Sequence, residues 1–298
     1  MIKSFDFKLV EEGFMKFVVL LVLCLFVSLA FATDNNGDNP SGPSAQIETQ
    51  GTDAVSLTVV NSFAPGRQVL GLDIYHGVTS NSILGVCKND LEVQAYLIDG
   101  TLAGVLTLDP ANTGCFGFAW NDESDTPIYH SNDWYDADIY TTEDFGVSWT
   151  TSANPAGDNG RGMDFDGTDY WMVDKDGSSA WRFQPGVAAE EVSIPGVSGM
   201  LSGLTTFPYG SNLGIAIAVY NINILYFFEW DGSSLSSLGS ATCPGTSIYD
   251  SLGLAYNPAT GNMHWSYSAI GGAYHVVEFS FDITSLERSS WGSIKSSF

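Results

Sequence analysis

Two aspartates, Asp73 and Asp164, occupy matching places in the chain, each two residues after a glycine in a short apolar motif. Two carboxyl groups that face one cleft can serve as acid and as nucleophile or base in cleaving a glycosidic bond. The acid in such a pair needs a raised pKa and is commonly a glutamate. The nine glutamates after residue 32 all fall outside the loops expected at a binding face. Asp73 and Asp164 are therefore the catalytic candidates, and catalysis is the less favoured function.

A second group of residues suits binding. These residues combine carboxylates, amides and one guanidinium with aromatic rings, in loops that we expect to emerge at one face. Carboxylates and amides hydrogen-bond to sugar hydroxyls, while aromatic faces cover the C–H surface of a sugar. The predicted ligand-binding residues are Asn89, Asp133, Trp134, Tyr135, Arg161, Tyr220, Asn221, Tyr249 and Asp250. Since Asn and Asp are common in any tight turn, purely structural loops are the alternative interpretation.

Three carboxylates, those of Asp133, Asp136 and Asp138, lie within six residues and form the candidate calcium site. Strand alternation would separate Asp133 from Asp136, and the residue order of an EF-hand loop is absent. The sequence also contains no Cys/His spacing typical of zinc and no phosphate-binding or dinucleotide motif. We therefore expect no cofactor, with calcium as the alternative.

Five glycine-centred motifs indicate the elements that must position these residues. Their glycines are separated by 46, 45, 41 and 50 residues and are Gly71, Gly117, Gly162, Gly203 and Gly253. A period in the forties, built of short strands and tight turns, is typical of propeller blades with four antiparallel strands each. The sequence thus predicts an all-β fold, a β-propeller with five blades of about 45 residues, and six blades as the alternative.

The motifs also predict how the ring is packed and closed. The glycine would let neighbouring backbones approach closely. The residue after it is always large and apolar, which predicts a hydrophobic layer around the axis: Leu72, Phe118, Met163, Leu204 and Leu254. Residues 53–61 form a strand outside the repeats, and we expect it to pair with the last blade and leave no open edge. Residues 285–291 are predicted as the final strand.

The N-terminal region is typical of a secretory signal peptide. Lys16 precedes an apolar run that ends in Ala30-Phe31-Ala32, a small-residue cleavage site. We expect a signal peptide at 1–32, a disordered segment at 33–52 and the propeller at 53–298, in a secreted protein that is extracellular or periplasmic. Three cysteines remain after residue 32. Cys87 and Cys115 are a candidate disulfide, and Cys243 would then be the third cysteine outside it.

The chain is strongly acidic, with 34 acidic and ten basic side chains and a net charge of -24. A surface of this sign repels phosphate backbones and anionic lipid. We therefore expect an extracellular glycan or protein as the partner, no nucleic acid, and no membrane insertion after signal cleavage.

One turn carries a motif with a name. Thr142, Asp144, Gly146 and Trp149 have the spacing S/T-x-D-x-G-x-x-W. This resembles the Asp-box, or BNR repeat, of sialidases and other secreted β-propellers, over eight residues of one repeat. The resemblance implies an aspartate that accepts turn N–H groups, a glycine with positive φ and a tryptophan packed beneath. The motif has a structural role and carries no chemistry.

Sialidase activity would need three arginines that converge on a carboxylate. After residue 32 the chain has four, Arg67, Arg161, Arg182 and Arg288, of which the last two fall in predicted outer strands. The leading hypothesis is a secreted, non-catalytic propeller that binds carbohydrate or a protein surface. The alternative is a glycoside hydrolase, five-bladed or sialidase-like, that uses carboxylates in the central funnel.

Overall fold

The structure, a computed structural model, describes residues 55–75, 83–88, 92–121, 128–243 and 247–283. These residues form twenty β-strands in five four-stranded antiparallel sheets and one short 3-10 turn, Gly157–Asn159. Sheet I contains β2 (Gly71–Tyr75), β3 (Ile83–Lys88), β4 (Glu92–Leu97) and β5 (Leu102–Thr107). Sheet II contains β6 (Cys115–Asn121), β7 (Ile128–Asp133), β8 (Asp138–Thr142) and β9 (Thr150–Ala153).

The remaining sheets repeat the same meander. Sheet III contains β10 (Gly160–Phe165), β11 (Tyr170–Asp174), β12 (Ser179–Phe183) and β13 (Glu190–Ser193). Sheet IV contains β14 (Leu201–Tyr209), β15 (Asn212–Val219), β16 (Ile224–Trp230) and β17 (Leu235–Thr242). Sheet V contains β18 (Ile248–Asn257), β19 (Asn262–Ala269), β20 (Tyr274–Ile283) and, from the start of the chain, β1 (Val55–Phe63).

The first strand of each sheet lies against the first strand of the next. The contacts run from β2 to β6, β10, β14 and β18, and β18 in turn contacts β2. These five inner strands thus form a ring, and the fold is an all-β propeller, as predicted.

The motif glycines are the points of closest approach in this ring. A Cβ added to Gly71 would lie 2.5 Å from the carbonyl oxygen of Phe116 on the next inner strand. A Cβ added to Gly253 would lie 2.8 Å from the backbone nitrogen of Leu72, across the point where the ring closes. A side chain does not fit at these distances, so the backbones can approach only because the residue is glycine.

The apolar residues that follow the glycines are all buried, but they do not form one layer around the axis. Each belongs to a different hydrophobic cluster; for example, Leu72 packs with Val69, Ile74 and Tyr96, whereas Leu204 lies in another cluster. Side chains of successive strand residues point to opposite faces of a sheet, so this position faces the space between two sheets. The predicted axial layer is thus replaced by five separate contacts between sheets.

The N-terminal strand closes the ring, as predicted. β1 pairs antiparallel with β20, from Val55 opposite Ile283 to Phe63 opposite Val276. The outer edge of β20 is therefore covered, which protects an otherwise open edge. The predicted strand at 285–291, the signal peptide and the segment 33–52 lie outside the described residues. Within the described ranges, no helix is long and apolar enough to cross a membrane.

The structure describes the state of two of the three cysteines that follow residue 32. Cys115 is disulfide-bonded, and Cys243 is a buried reduced thiol. The side chain of Cys87, the predicted partner of Cys115, lies outside the described part of the chain.

Candidate functional site

The antiparallel meander gives the propeller two different faces. The loops that join second to third strands, and one sheet to the next, lie where the inner strands begin. We call this face the rim. The turns that join first to second and third to fourth strands lie where the inner strands end, and we call that face the turn face. The described ligand-binding candidates belong to the rim, whereas Asp73 and Asp164 lie near the turn face.

Arg161 is the central cation of the rim. Its guanidinium carbon lies 5.1 Å from the ring centroid of Phe116 and 5.6 Å from that of Trp134. Its Nη1 donates to the carbonyl oxygens of Gly160 at 2.7 Å and Asp158 at 3.1 Å. Burial lowers the pKa of Arg161 to about 10 although nearby carboxylates oppose the shift. The side chain therefore stays charged at neutral pH and orients the two aromatic rings by cation–π contact.

A second group of predicted residues comes from the loop after β15 and the beginning of β18. The buried Asp250 carboxylate accepts a hydrogen bond from Gln68 Nε2 at 3.2 Å and is hydrogen-bonded to Tyr220. Desolvation raises the pKa of Asp250, since burial penalises the ionised form. In the amide orientation that satisfies its neighbours, Asn221 donates to the backbone oxygen of Tyr249 at 3.0 Å and to Asp250 Oδ1 at 3.3 Å. The loop after β15 is therefore tied to the beginning of β18.

The two groups meet at one apolar centre. Trp134 and Tyr220 both pack against the buried trio Leu70, Phe116 and Leu252. Tyr135 and Tyr249, beside these groups in sequence, remain 66% and 47% exposed. We call the following set the rim site: Phe116, Trp134, Tyr135, Arg161, Tyr220, Asn221, Tyr249 and Asp250. The rim site thus combines exposed aromatic rings with hydrogen-bonded polar groups around an apolar centre.

Of the predicted rim residues that the structure describes, Asp133 does not join this set. Asp133 is fully buried, and its carboxylate accepts the N–H groups of Gly114 at 2.9 Å and Tyr135 at 2.7 Å. It holds the loop that presents Tyr135, so the structure gives it a supporting role in place of direct contact. Asn89 lies outside the described residues.

Phe116 was missed from the sequence although a signal was present. It directly precedes Gly117, as Arg161 directly precedes Gly162 and Leu70 precedes Gly71. Equivalent positions on neighbouring inner strands lie side by side in a ring, so the residues before the motif glycines form the axial floor of the rim.

The catalytic candidates line a cavity of about 420 Å³ at the turn face, the axial cavity. All five sheets contribute to its wall. Asp73 Oδ2 accepts the N–H of Trp120, on the next inner strand, at 2.7 Å, and Asp73 Oδ1 accepts the N–H of Ile74 at 2.7 Å. Asp164 accepts equivalent N–H groups from Thr206 and Phe165. Both aspartates thus join adjacent inner strands.

Burial also changes the acidity of Asp164. Desolvation raises the pKa of its carboxyl to about 6, against the opposing effect of hydrogen bonds from Thr206, Phe165 and Thr205. An acid with this pKa is partly protonated near neutral pH, as a general acid must be.

The Asp-box-like turn joins β8 to β9 on the turn face. The Thr142 hydroxyl donates to Asp144 Oδ1 at 2.8 Å and accepts the Gly146 N–H at 2.9 Å. Asp144 also accepts the Ser148 N–H at 2.9 Å, and hydrogen bonds from Ser148 lower the pKa of Asp144. Gly146 has φ of 82°. Beside this turn an open groove of about 510 Å³, lined mainly by hydroxyl and amide groups, separates sheets II and III.

The other predicted chemistry finds no geometric support among the described residues. They contain no group of three or more His, Cys, Asp or Glu side chains that could hold a metal ion. In the candidate calcium run, Asp136 accepts hydrogen bonds from Tyr140 at 2.7 Å and from the Asp138 N–H at 3.0 Å. Arg182 lies on the third strand of sheet III in an ion pair with Asp169 at 2.6 Å.

No protein-family model and no curated protein sequence matches the chain. Among solved structures it is similar to the glutaminyl cyclase of Myxococcus xanthus, with a TM-score of 0.53, 13% identity, and coverage of 77% of this chain and 97% of that one. It is also similar to the PQQ-bound aldose sugar dehydrogenase of Streptomyces coelicolor, with a TM-score of 0.54, 14% identity, and coverage of 76% and 98%. Identities this low show a shared β-propeller fold, and the function must be argued from the site.

Proposed function

We propose that the chain is a secreted, non-catalytic β-propeller that binds extracellular carbohydrate through the rim site. The observation that carries this proposal is the convergence of Trp134 and Tyr220, from loops of two different sheets, on one apolar centre. The exposed rings of Tyr135 and Tyr249 would stack on sugar C–H surfaces. The Asn221 amide and the Asp250 carboxylate would hydrogen-bond to hydroxyl groups. The groups are already positioned by internal contacts, which lowers the entropic cost of binding.

We further infer that the five sheets are the complete set of blades. The contact between β18 and β2 supports this count, because it leaves no gap for a sixth sheet between them. The hydrogen bonds of Thr142 and Asp144 support a relationship of the turn to Asp-box repeats.

A glycan array, probed with and without calcium, tests the carbohydrate proposal. We expect glycan binding without turnover, and Tyr135→Ala and Tyr249→Ala each to weaken it on the order of tenfold or more, because exposed aromatic anchors dominate such interfaces. Phe145→Ala removes an aromatic ring that is 44% exposed on the turn face and should leave affinity unchanged.

Two results would contradict the proposal. One is the absence of binding to any glycan, which would direct attention to a protein partner. The other is glycan binding that is indifferent to both tyrosines.

A glycoside hydrolase is the second candidate, favoured by the raised pKa of Asp164 and by the shared cavity with Asp73. If it is correct, Asp164→Asn should reduce the release of reducing sugar on the order of a hundredfold or more, since a general acid contributes about that much. Thermal unfolding of the variant must be measured in parallel, because the Asp164 carboxylate also accepts the Thr206 N–H. Wild-type protein that binds glycans but releases no reducing sugar would eliminate this candidate.

A further inference from the structure

Four aromatic residues surround the axial cavity, one from each of four successive inner strands. They are Trp120 on β6, Phe165 on β10, Phe207 on β14 and Tyr256 on β18. Trp120 and Phe207 are buried, and Trp120 stacks on Tyr75 with ring centroids 4.8 Å apart, whereas Phe165 and Tyr256 are half-buried and keep part of their ring surface accessible. Aromatic faces carry partial negative charge and attract cations. The wall of the axial cavity is therefore suited to a positively charged ligand.

The charged side chains that line the cavity also favour a positively charged ligand. Asp73, Asp164 and Asp166 line it, and no Lys, Arg or His is found among the described lining residues. The described hydrogen-bond donors to Asp164 are neutral groups, the N–H groups of Phe165 and Thr206 and the hydroxyls of Thr205 and Thr206. Neutral donors spread the negative charge but do not cancel it. A cation in the cavity would provide the opposite charge.

The hydrogen bonds also restrict the kind of cation. The Asp73 and Asp164 oxygens already accept N–H groups from adjacent inner strands, so ligation of a bare metal ion would compete with contacts that hold the ring together. A quaternary ammonium group, such as trimethylammonium, has no N–H and needs no acceptor, because its charge is spread over its alkyl groups. Such a group can bind by cation–π attraction and by the field of nearby carboxylates alone.

We propose that the axial cavity binds a small quaternary ammonium ion, held against the accessible rings of Phe165 and Tyr256 in the field of Asp73 and Asp164. The volume of about 420 Å³ falls in the range of small-molecule sites, which is roughly 300–1,000 Å³. The cavity lies at the opposite end of the inner strands from the rim site, so this proposal does not depend on glycan binding.

Calorimetric titration of the mature protein with choline tests the proposal against 3,3-dimethylbutan-1-ol, the uncharged carbon isostere of choline. We expect choline to bind on the order of tenfold or more tightly than the isostere, because only choline gains the cation–π attraction. Tyr256→Leu keeps the apolar volume and the backbone contact with Thr205 but removes a ring, and should weaken choline binding by a similar factor. Tyr226 is a half-buried tyrosine on β16 that lies outside the cavity lining, so the variant Tyr226→Leu should bind choline as the wild type does.

The comparison of the two ligands uses the unmodified protein and so does not depend on whether a variant folds. Equal affinities would show that the cavity recognises apolar shape without charge, and would overturn the proposal. So would the absence of choline binding, or Tyr256→Leu binding choline with wild-type affinity. A neutral monosaccharide that competes with choline for the cavity would point to a sugar site instead.

Discussion

Gly162→Ala is expected to lower the free energy of unfolding by about 3 kcal/mol, the upper end of the usual cost of forcing an atom into a tightly packed interior. A Cβ at this position would lie 2.6 Å from the Leu204 nitrogen, 2.7 Å from the Gly203 Cα and 2.8 Å from the Ser202 oxygen. All three atoms belong to the backbone of β14, so no side-chain rotation can relieve the overlap. To make room, one inner strand would have to move away from the next and disturb the ring.

Chemical denaturation of the wild type and of two variants measures this effect. Gly104→Ala on β5 is the matched control, since no atom lies within 4 Å of its added Cβ. Neither glycine has a positive φ, so the two substitutions differ in steric contact alone. Gly104→Ala should be neutral or stabilising by roughly 0.5–1 kcal/mol, because alanine restricts the unfolded chain. Equal losses in both variants would show that the motif glycine is not a point of close approach.

The sequence predicts the fold well because the constraint that shapes it is local and repeated. Each motif glycine must allow the next inner strand to approach, so the requirement recurs once in every repeat. The closing strand was also predictable, since β1 has strand composition but belongs to no repeat. An unpaired edge on β20 would have been the alternative, and proteins avoid such edges.

The sequence could not show which side chains face one another across different sheets. Asp73 and Asp164 were predicted as funnel carboxylates from their matching positions. They do line one cavity, but they also accept N–H groups from the next inner strand. Thr205, at the equivalent place in sheet IV, accepts the Tyr256 N–H at 2.9 Å in the same manner. The shared position thus reflects a strand-joining role, which only the three-dimensional register reveals.

The rim was predicted in outline and incompletely in detail. Turn composition identified Trp134, Tyr135, Tyr220 and Tyr249, because residues of loops that share a face must be neighbours. It did not identify Phe116, since that residue lies within β6 and reads as part of a buried strand. The burial of Asp133 could not be predicted either, because the sequence does not distinguish an aspartate that hydrogen-bonds to its own loop from one that binds a ligand.

His264→Phe is expected to remove part of the acid sensitivity of the protein. The His264 ring is 1% exposed, and neither of its nitrogens has a hydrogen-bond partner among the described residues. Burial lowers its pKa to about 4, whereas a histidine in an unfolded chain titrates near about 6.5. Because the pKa of His264 is lower in the folded than in the unfolded chain, the neutral ring makes its full contribution to folding stability at a pH above the pKa of the unfolded chain. This contribution is lost as the pH falls from there toward the folded pKa.

At pH 5 His264 would be protonated in the unfolded chain but neutral in the folded protein. This difference lowers the free energy of unfolding by roughly 2 kcal/mol, at about 1.4 kcal/mol per pKa unit. The raised pKa of Asp164 has the opposite sign, because it favours the folded state as the pH falls. The wild-type pH profile therefore mixes opposing contributions, and the difference between wild type and variant isolates the histidine.

Denaturant unfolding at pH 7 and at pH 5 supplies this difference. His264→Phe should equal or exceed the wild type at pH 7, since it removes two buried nitrogens without partners. Its advantage should grow by roughly 2 kcal/mol at pH 5. If His264→Phe follows the wild-type profile in parallel, folded His264 accepts its proton without penalty, and the space between sheets V and I must be open to water.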